Sequence, residues 1–177
     1  DVEFVYGPPE GGYLMSDLMR GKKIYYTDDE LKVIRSQMEK GDTNYTIIKS
    51  VRGKGKLRGS NSANAFTFDR FERFTKKGVD KIIGFDSSER DTIAVSSKAF
   101  PELKGISEIK FASTNSKKEL KLLSRQDYDF VYFEKKGRLY FDGNGADKGW
   151  GNSSEGGLFA IMTGKPELNV RNFTLLD

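Results

Sequence analysis

An acidic, glycine-rich run, Tyr140-Phe141-Asp142-Gly143-Asn144-Gly145-Ala146-Asp147-Lys148-Gly149-Trp150, holds a dense set of hard oxygen donors. Asp142, Asn144 and Asp147 carry the side-chain oxygens. Three glycines within the eleven residues let the backbone bend until its carbonyls point inward. Calcium takes about six to eight such oxygens, so a hard cation suits the run. An EF-hand it is not. Counted from Asp142, position 5 is Ala146, position 6 is Asp147 and position 12 is Ser153, where an oxygen ligand, Gly and Glu are required. The same Asp, Asn and Gly also suit a tight solvated turn, and both readings stay open at this point.

Other chemistries are closed by composition. The chain has no Cys and no His, which removes thiol nucleophiles, disulfides, imidazole bases and the usual zinc sites. A metal site must be all-oxygen, which favours calcium or magnesium over transition metals. Carboxylates such as Asp142 and Glu155 could in principle do acid–base work on a glycoside, which geometry and not sequence decides. No nucleophile sits in a recognisable strained turn, however, and a non-enzymatic protein is expected.

The elements that must position the acidic run can be read around it. Asp129 to Phe141 reads as two short strands about a Lys135-Lys136-Gly137 turn, so the second strand delivers its chain into the acidic loop. Upstream, strands are expected over Tyr45–Val51, Ala65–Asp69, Val79–Asp86, Asp91–Val95 and Ser107–Ala112, with a flexible basic turn over Gly53–Gly59. Downstream, Gly156–Met162 is an apolar segment that must pack, and Phe173–Leu176 closes the chain as a strand. Two capping boxes predict helices. Thr27-Asp-Asp-Glu30 opens one with Leu31, Ile34 and Met38 on a face, and Ser116-Lys-Lys-Glu119 opens a short one through Leu123. A further short helix over Leu14–Met19 is expected. These place a helical lead at 1–43 before a β-rich body at 44–177.

Thirteen Phe and eight Tyr in 177 residues supply a core for one folded domain, and nineteen Gly favour strands and turns. No apolar run approaches the length of a membrane-spanning helix. The chain begins at Asp1, as expected of a processed form or a fragment. Net charge is +4. Basic residues gather over Lys49–Arg58 and Lys117–Arg125 without interleaved aromatic platforms, so nucleic acid is not the expected partner.

From Leu57 to Leu176 the order of segments resembles the C-terminal region of RTX proteins, the haemolysin-type calcium-binding family. The matching pieces are Leu57-Arg-Gly-Ser-Asn-Ser-Ala-Asn-Ala-Phe-Thr-Phe-Asp69, Val79-Asp-Lys-Ile-Ile-Gly-Phe-Asp86 and Asp91-Thr-Ile-Ala-Val95. Leu139-Tyr-Phe-Asp-Gly-Asn-Gly145, Phe159-Ala-Ile-Met-Thr-Gly-Lys-Pro-Glu-Leu168 and Asn172-Phe173 follow in the same order. The family's Gly-Gly-x-Gly-x-Asp-x-U-x nonapeptide is reduced to one degenerate turn, with Leu57 at the apolar place, Gly53 at a glycine place and Gly55 where Asp belongs. The resemblance therefore implies a mainly β fold, sandwich- or β-roll-like, of the kind that follows and caps a calcium roll. It draws attention to Asp80, Asp86 and Asp91 as further metal candidates beside Asp142, Asn144 and Asp147. Asp80 and Asp86 fall on one face if a single strand runs through both.

The expected function is a non-enzymatic, calcium-binding terminal module of an exported or cell-surface protein, handled by a secretion machinery and folding once calcium is met. The alternative is a metal-independent adhesion module that holds an acidic glycan or acidic protein through its basic loops.

Overall fold

The computed structural model describes the backbone of residues 4–6 and 12–14 and the whole of residues 45–176. Two short strands, β1 (Phe4–Tyr6) and β2 (Gly12–Leu14), pair antiparallel with Phe4 opposite Leu14. The expected helix over Leu31–Met38 and its Thr27 cap lie outside the described residues, as does the stretch after Leu14.

From residue 45 onward the chain coils between two sheets. Its first five strands are β3 (Thr46–Lys49), β4 (Lys56–Arg58), β5 (Asn64–Phe68), β6 (Asp80–Ile83) and β7 (Thr92–Val95). β3, β5 and β7 lie side by side in one sheet, while β4 and β6 are neighbours in the other. Every one of these pairings is parallel. Parallel neighbours require a crossover, and here each crossover contains a strand of the opposite sheet. β6 stops at Ile83 because Gly84 turns to φ +75°, so Asp80 and Asp86 do not share one continuous strand.

The expected basic turn over Gly53–Gly59 contains β4. Leu57 is 2 % exposed between exposed Lys56 and Arg58, and that alternation is enough to pair three residues with β6. Its charge and glycines conceal the strand in the sequence.

The rest of the chain completes both sheets. β8 (Phe111–Thr114), helix α1 (Lys117–Leu123), β9 (Phe130–Phe133), β10 (Arg138–Phe141), β11 (Gly157–Met162) and β12 (Phe173–Leu175) follow in order. One sheet runs β4-β6-β11-β10-β9-β8 and the other β12-β7-β5-β3. The body is thus mainly β, with a single seven-residue α-helix among the described residues. Ser116 caps α1 by accepting from the Glu119 N–H at 3.3 Å. Glu119 does not return the bond to the Ser116 amide. Thr114 Oγ1 accepts from that amide at 2.9 Å and donates to Glu119 Oε2 at 2.5 Å, so it completes the cap in place of the carboxylate.

Both sheets contribute to one apolar cluster, with Phe66, Phe68 and Ile93 from one and Leu57, Ile82, Phe130, Phe141 and Phe159 from the other. Phe68 and Phe159 rings lie 4.5 Å apart, and Phe130 and Phe173 rings 4.8 Å apart. Burying a phenylalanine ring fully, as at Phe130, contributes roughly 2–3 kcal/mol, and half-buried Phe173 contributes less. β9 is buried on both faces. Phe130 and Tyr132 belong to the cluster, whereas Val131 and Phe133 take the other face, where α1 packs. No helix among the described residues is long and apolar enough to cross a membrane.

Candidate functional site

Two of the acidic candidates stand at corners of the coil. Asp80 opens β6, which pairs with β4, and its carboxylate reaches back to the corner that leads into β4. Asp80 Oδ1 accepts from the Gly55 N–H at 2.6 Å and Oδ2 from Ser50 Oγ at 2.6 Å. Asp91 repeats the device one corner on. It precedes β7, and its Oδ1 accepts from both the backbone N–H (2.7 Å) and the side-chain amide (2.8 Å) of Asn64, the first residue of β5. Its Oδ2 accepts from the Asp86 N–H at 2.8 Å, which brings Asp86 and Asp91 together. Asp80 and Asp91 are 3 % and 2 % exposed. Burial pushes both carboxyl groups above the ordinary carboxylate range, and the donated hydrogen bonds oppose it.

Gly55 explains why this corner tolerates no side chain. A Cβ there would lie 2.7 Å from Asp80 Oδ1, so the carboxylate occupies the space that the missing side chain leaves. Asp86 has a different task. It is exposed and caps a 310 turn, its Oδ1 accepting from the Ser88 N–H at 2.8 Å and Ser88 Oγ at 2.6 Å. Those bonds from Ser88 hold its carboxyl below the usual range.

The hairpin exit is built otherwise. Phe130 pairs with Phe141, so the next pair out is Asp129 beside Asp142, and the Asp142 N–H donates to the Asp129 carbonyl at 3.0 Å. Phe141 is anchored in the core and fixes Asp142, which is 4 % exposed. Asp142 Oδ1 accepts from the Asn144 N–H at 3.2 Å, whereas Oδ2 is buried with no protein partner. Asn144 closes the loop internally. Turned so that its donors meet acceptors, its Nδ2 reaches Asp142 Oδ1 (2.6 Å) and the Gly149 carbonyl (3.1 Å), and its Oδ1 accepts from the Gly151 N–H (2.9 Å). Asp147 is exposed on the loop, its N–H donating to the Asn144 carbonyl at 3.5 Å. The loop is also tied to the end of α1, since the Gly149 N–H donates to the Ser124 carbonyl at 2.8 Å.

Two further carboxylates face this exit. Burial first, then the charges of Asp127 and Asp129, push the Asp142 carboxyl up to about 7. Asp129 is itself raised by burial, and its Oδ2 accepts from the Lys110 N–H at 2.7 Å. Lys110 Nζ meets Asp127 Oδ2 at 2.5 Å, a built-in cation at the rim. The hydrogen bond to Asp127 raises the ammonium group above its ordinary value. Among the described residues no three carboxylates converge on one point. What the exit offers is one buried, unpartnered carboxylate oxygen, a surrounding negative charge and a loop of bent backbone.

Sequence reasoning missed Asp127, Asp129 and Lys110 here, and Ser50, Gly55 and Asn64 at the corners. Asp129 carried a usable signal. A hairpin closed at Lys135-Lys136-Gly137 sets a register that places it next to Asp142. The corner partners had none, because the bonds join residues 25, 27 and 30 positions apart through parallel pairing that no local pattern announces. Compared with known proteins, the chain matches no family model, no curated protein and no solved structure.

Proposed function

We propose that this chain is a non-enzymatic, calcium-responsive module, similar to the C-terminal region of RTX proteins, from an exported or cell-surface protein. The observation that carries the reading is the buried, unpartnered Oδ2 of Asp142 at the end of β10, beside Asp127 and Asp129. A buried carboxylate oxygen without a donor costs about 1–3 kcal/mol, and a hard cation removes that cost while neutralising the neighbouring acids. Asp142 supplies the oxygen, with the acidic surroundings and the carbonyls of the Asn144–Gly149 loop as further donors. Asp147 stands on the same loop. Asp80 and Asp91 belong to another part of the reading: their oxygens already accept protein donors and stitch the corners of the coil.

Two features support the family likeness. Successive strands alternate between sheets with parallel pairing, and the first step, from Thr46 to Asn64, advances eighteen residues, twice the nonapeptide length. At Gly55, where the nonapeptide has its Asp, the corner is held by Asp80 from the next turn. This arrangement lets a coil stack where no ion is shared between its layers. In an exported protein, calcium met outside would add its binding free energy to folding at the hairpin exit.

Thermal unfolding in calcium and in chelator tests the reading. Millimolar calcium raises the melting temperature by about 3–6 °C and chelator reverses it. A curve indifferent to both refutes the calcium claim.

A second reading, adhesion to an acidic glycan or protein without metal, is favoured by the exposed Lys54, Lys56 and Arg58 and by the exposed cations of α1. Lys49 contributes nothing to it, since its ammonium pairs with Asp69 at 2.5 Å. Binding to an acidic polymer that weakens with salt supports this reading, and no binding at low salt removes it.

A further inference from the structure

β10 alternates Arg138 and Tyr140 outward with Leu139 and Phe141 inward, and the outward pair stands on the face of the sheet away from the core. The hairpin tip beside it is a 310 turn carrying Lys135 and Lys136, closed by Gly137 at φ +62°. Across from the tip, α1 begins with Lys117. These three elements enclose a depression of about 350 Å³ lined by Lys117, Lys135, Lys136 and Arg138. Its apolar lining is Leu120, Phe133 and the Tyr140 ring. Trp150 stacks on that ring at 4.9 Å and 11°, which holds its plane fixed.

Four cations around one depression repel one another unless an anion joins them. None of the four has an ion-pair partner among the described residues. The carboxylates on the same elements are engaged elsewhere, Glu134 of the tip by the Asn115 side-chain amide and Glu119 of α1 by Thr114 Oγ1. The depression thus has a positive field, a flat aromatic wall and an apolar floor. Tracking a nucleic acid needs a long groove with several stacking platforms, whereas this is a bounded hollow in which Tyr140 is the one half-exposed ring and Phe133 is buried. One or two sugar rings fill such a volume. A pyranose lays its C–H face on an aromatic ring while its sulfate or carboxylate groups meet the cations.

We infer that the hollow between α1, the β9–β10 tip and β10 is a binding site for an acidic saccharide, with Lys136 and Arg138 holding its anionic groups and Tyr140 its ring. The inference rests on the adhesion reading above and moves its site from the Lys54–Arg58 loop to the opposite end of the hairpin from Asp142. The anionic group can come from sulfate or from uronate, and the test separates them.

The experiment is calorimetric titration of the full chain, in chelator, with a heparin-derived hexasaccharide and with its desulfated form, which keeps only carboxylates. Lys136→Ala with Arg138→Ala, and separately Tyr140→Ala, each weaken binding roughly tenfold, the loss expected for charge-assisted and ring contacts. Tyr140→Phe binds as the parent does, and so does the loop variant Lys54→Ala/Lys56→Ala/Arg58→Ala. All these residues are exposed or half-buried, and unchanged melting curves certify the fold. Binding retained by the desulfated form assigns the carboxylate, and binding lost on desulfation assigns the sulfate. If the loop variant loses binding and the hollow variants keep it, the site is wrong while the adhesion reading stands. If the parent chain binds neither saccharide, both fall. If inorganic polyphosphate binds as tightly and Tyr140→Ala changes nothing, the saccharide class is overturned.

Discussion

Asp91 Oδ1 accepts two hydrogen bonds from one residue, Asn64, which lies 27 positions earlier and one turn of the coil away. Both groups are buried, Asn64 fully and Asp91 to within 2 %. The pair makes the start of β7 register on the start of β5. It is stronger than either bond alone, since an ionised acceptor meets a backbone and a side-chain donor together.

Removing this carboxylate leaves two backbone donors unanswered, the Asn64 N–H and the Asp86 N–H, while the Asn64 side-chain amide keeps the Ser60 and Ser62 carbonyls. Asp91→Ala lowers stability by about 2–4 kcal/mol, read by chemical denaturation. Asp91→Asn, which can accept at one oxygen only, costs less than the alanine. A loss under about 0.5 kcal/mol would show that the corner is held by packing alone.

The lower corner gives a smaller, separable effect. Ser50→Ala takes one donor from Asp80 and leaves the Gly55 bond, costing about 1 kcal/mol. Gly55→Ala is worse, because its Cβ would lie 2.7 Å from Asp80 Oδ1. Denaturation midpoints of the two variants, measured together, check that order.

At the hairpin exit the backbones pack too closely for any side chain. A Cβ at Gly143 would stand 1.9 Å from the Glu155 carbonyl oxygen, and one at Gly156 would stand 2.2 Å from that of Trp150. Either alanine forces the loop to move and lowers stability by about 2 kcal/mol or more. The Trp150 fluorescence of the variants reports whether the loop has shifted against Tyr140.

Stability depends on pH with a definite sign. The Asp142 carboxyl is raised from its ordinary 3.8 to about 7, so between these values the folded chain keeps a proton that the unfolded chain releases. The native state binds more protons there, and stability falls as pH rises from about 4 to 7. Asp80, Asp91 and Asp129, also raised by burial, add to the same slope at its acidic end. Asp142→Asn flattens the slope and stabilises the calcium-free protein at neutral pH by about 1–2 kcal/mol. Denaturant midpoints measured in chelator from pH 4 to pH 8 decide it, and an unchanged slope in the variant contradicts the assignment.

Much of the fold could be read from local pattern, and the misses share a cause. β3, β5, β7 and the β9–β10 hairpin announce themselves by apolar and β-branched runs bounded by turn residues. β4 does not, because only Leu57 of its three residues is apolar. Val79–Asp86 looked continuous, yet Gly84 ends the strand and parts Asp86 from Asp80. Asp142 was visible as a candidate from residue type alone, but its burial and its free oxygen depend on Phe141 sinking into a core made by distant strands. The hollow beside Tyr140 was the least legible. It joins Lys117 on a helix to Arg138 on a strand, and sequence order places neither near the other.

Terbium luminescence tests the central claim most directly, because terbium takes the oxygen ligands calcium takes and Trp150, the chain's single tryptophan, lies on the loop that follows Asp142. Excited through that indole at neutral pH, the parent chain gives sensitised emission that millimolar calcium displaces, while Asp142→Asn gives almost none. Emission that is absent in the parent, or equal in the variant, contradicts a cation site at the hairpin exit.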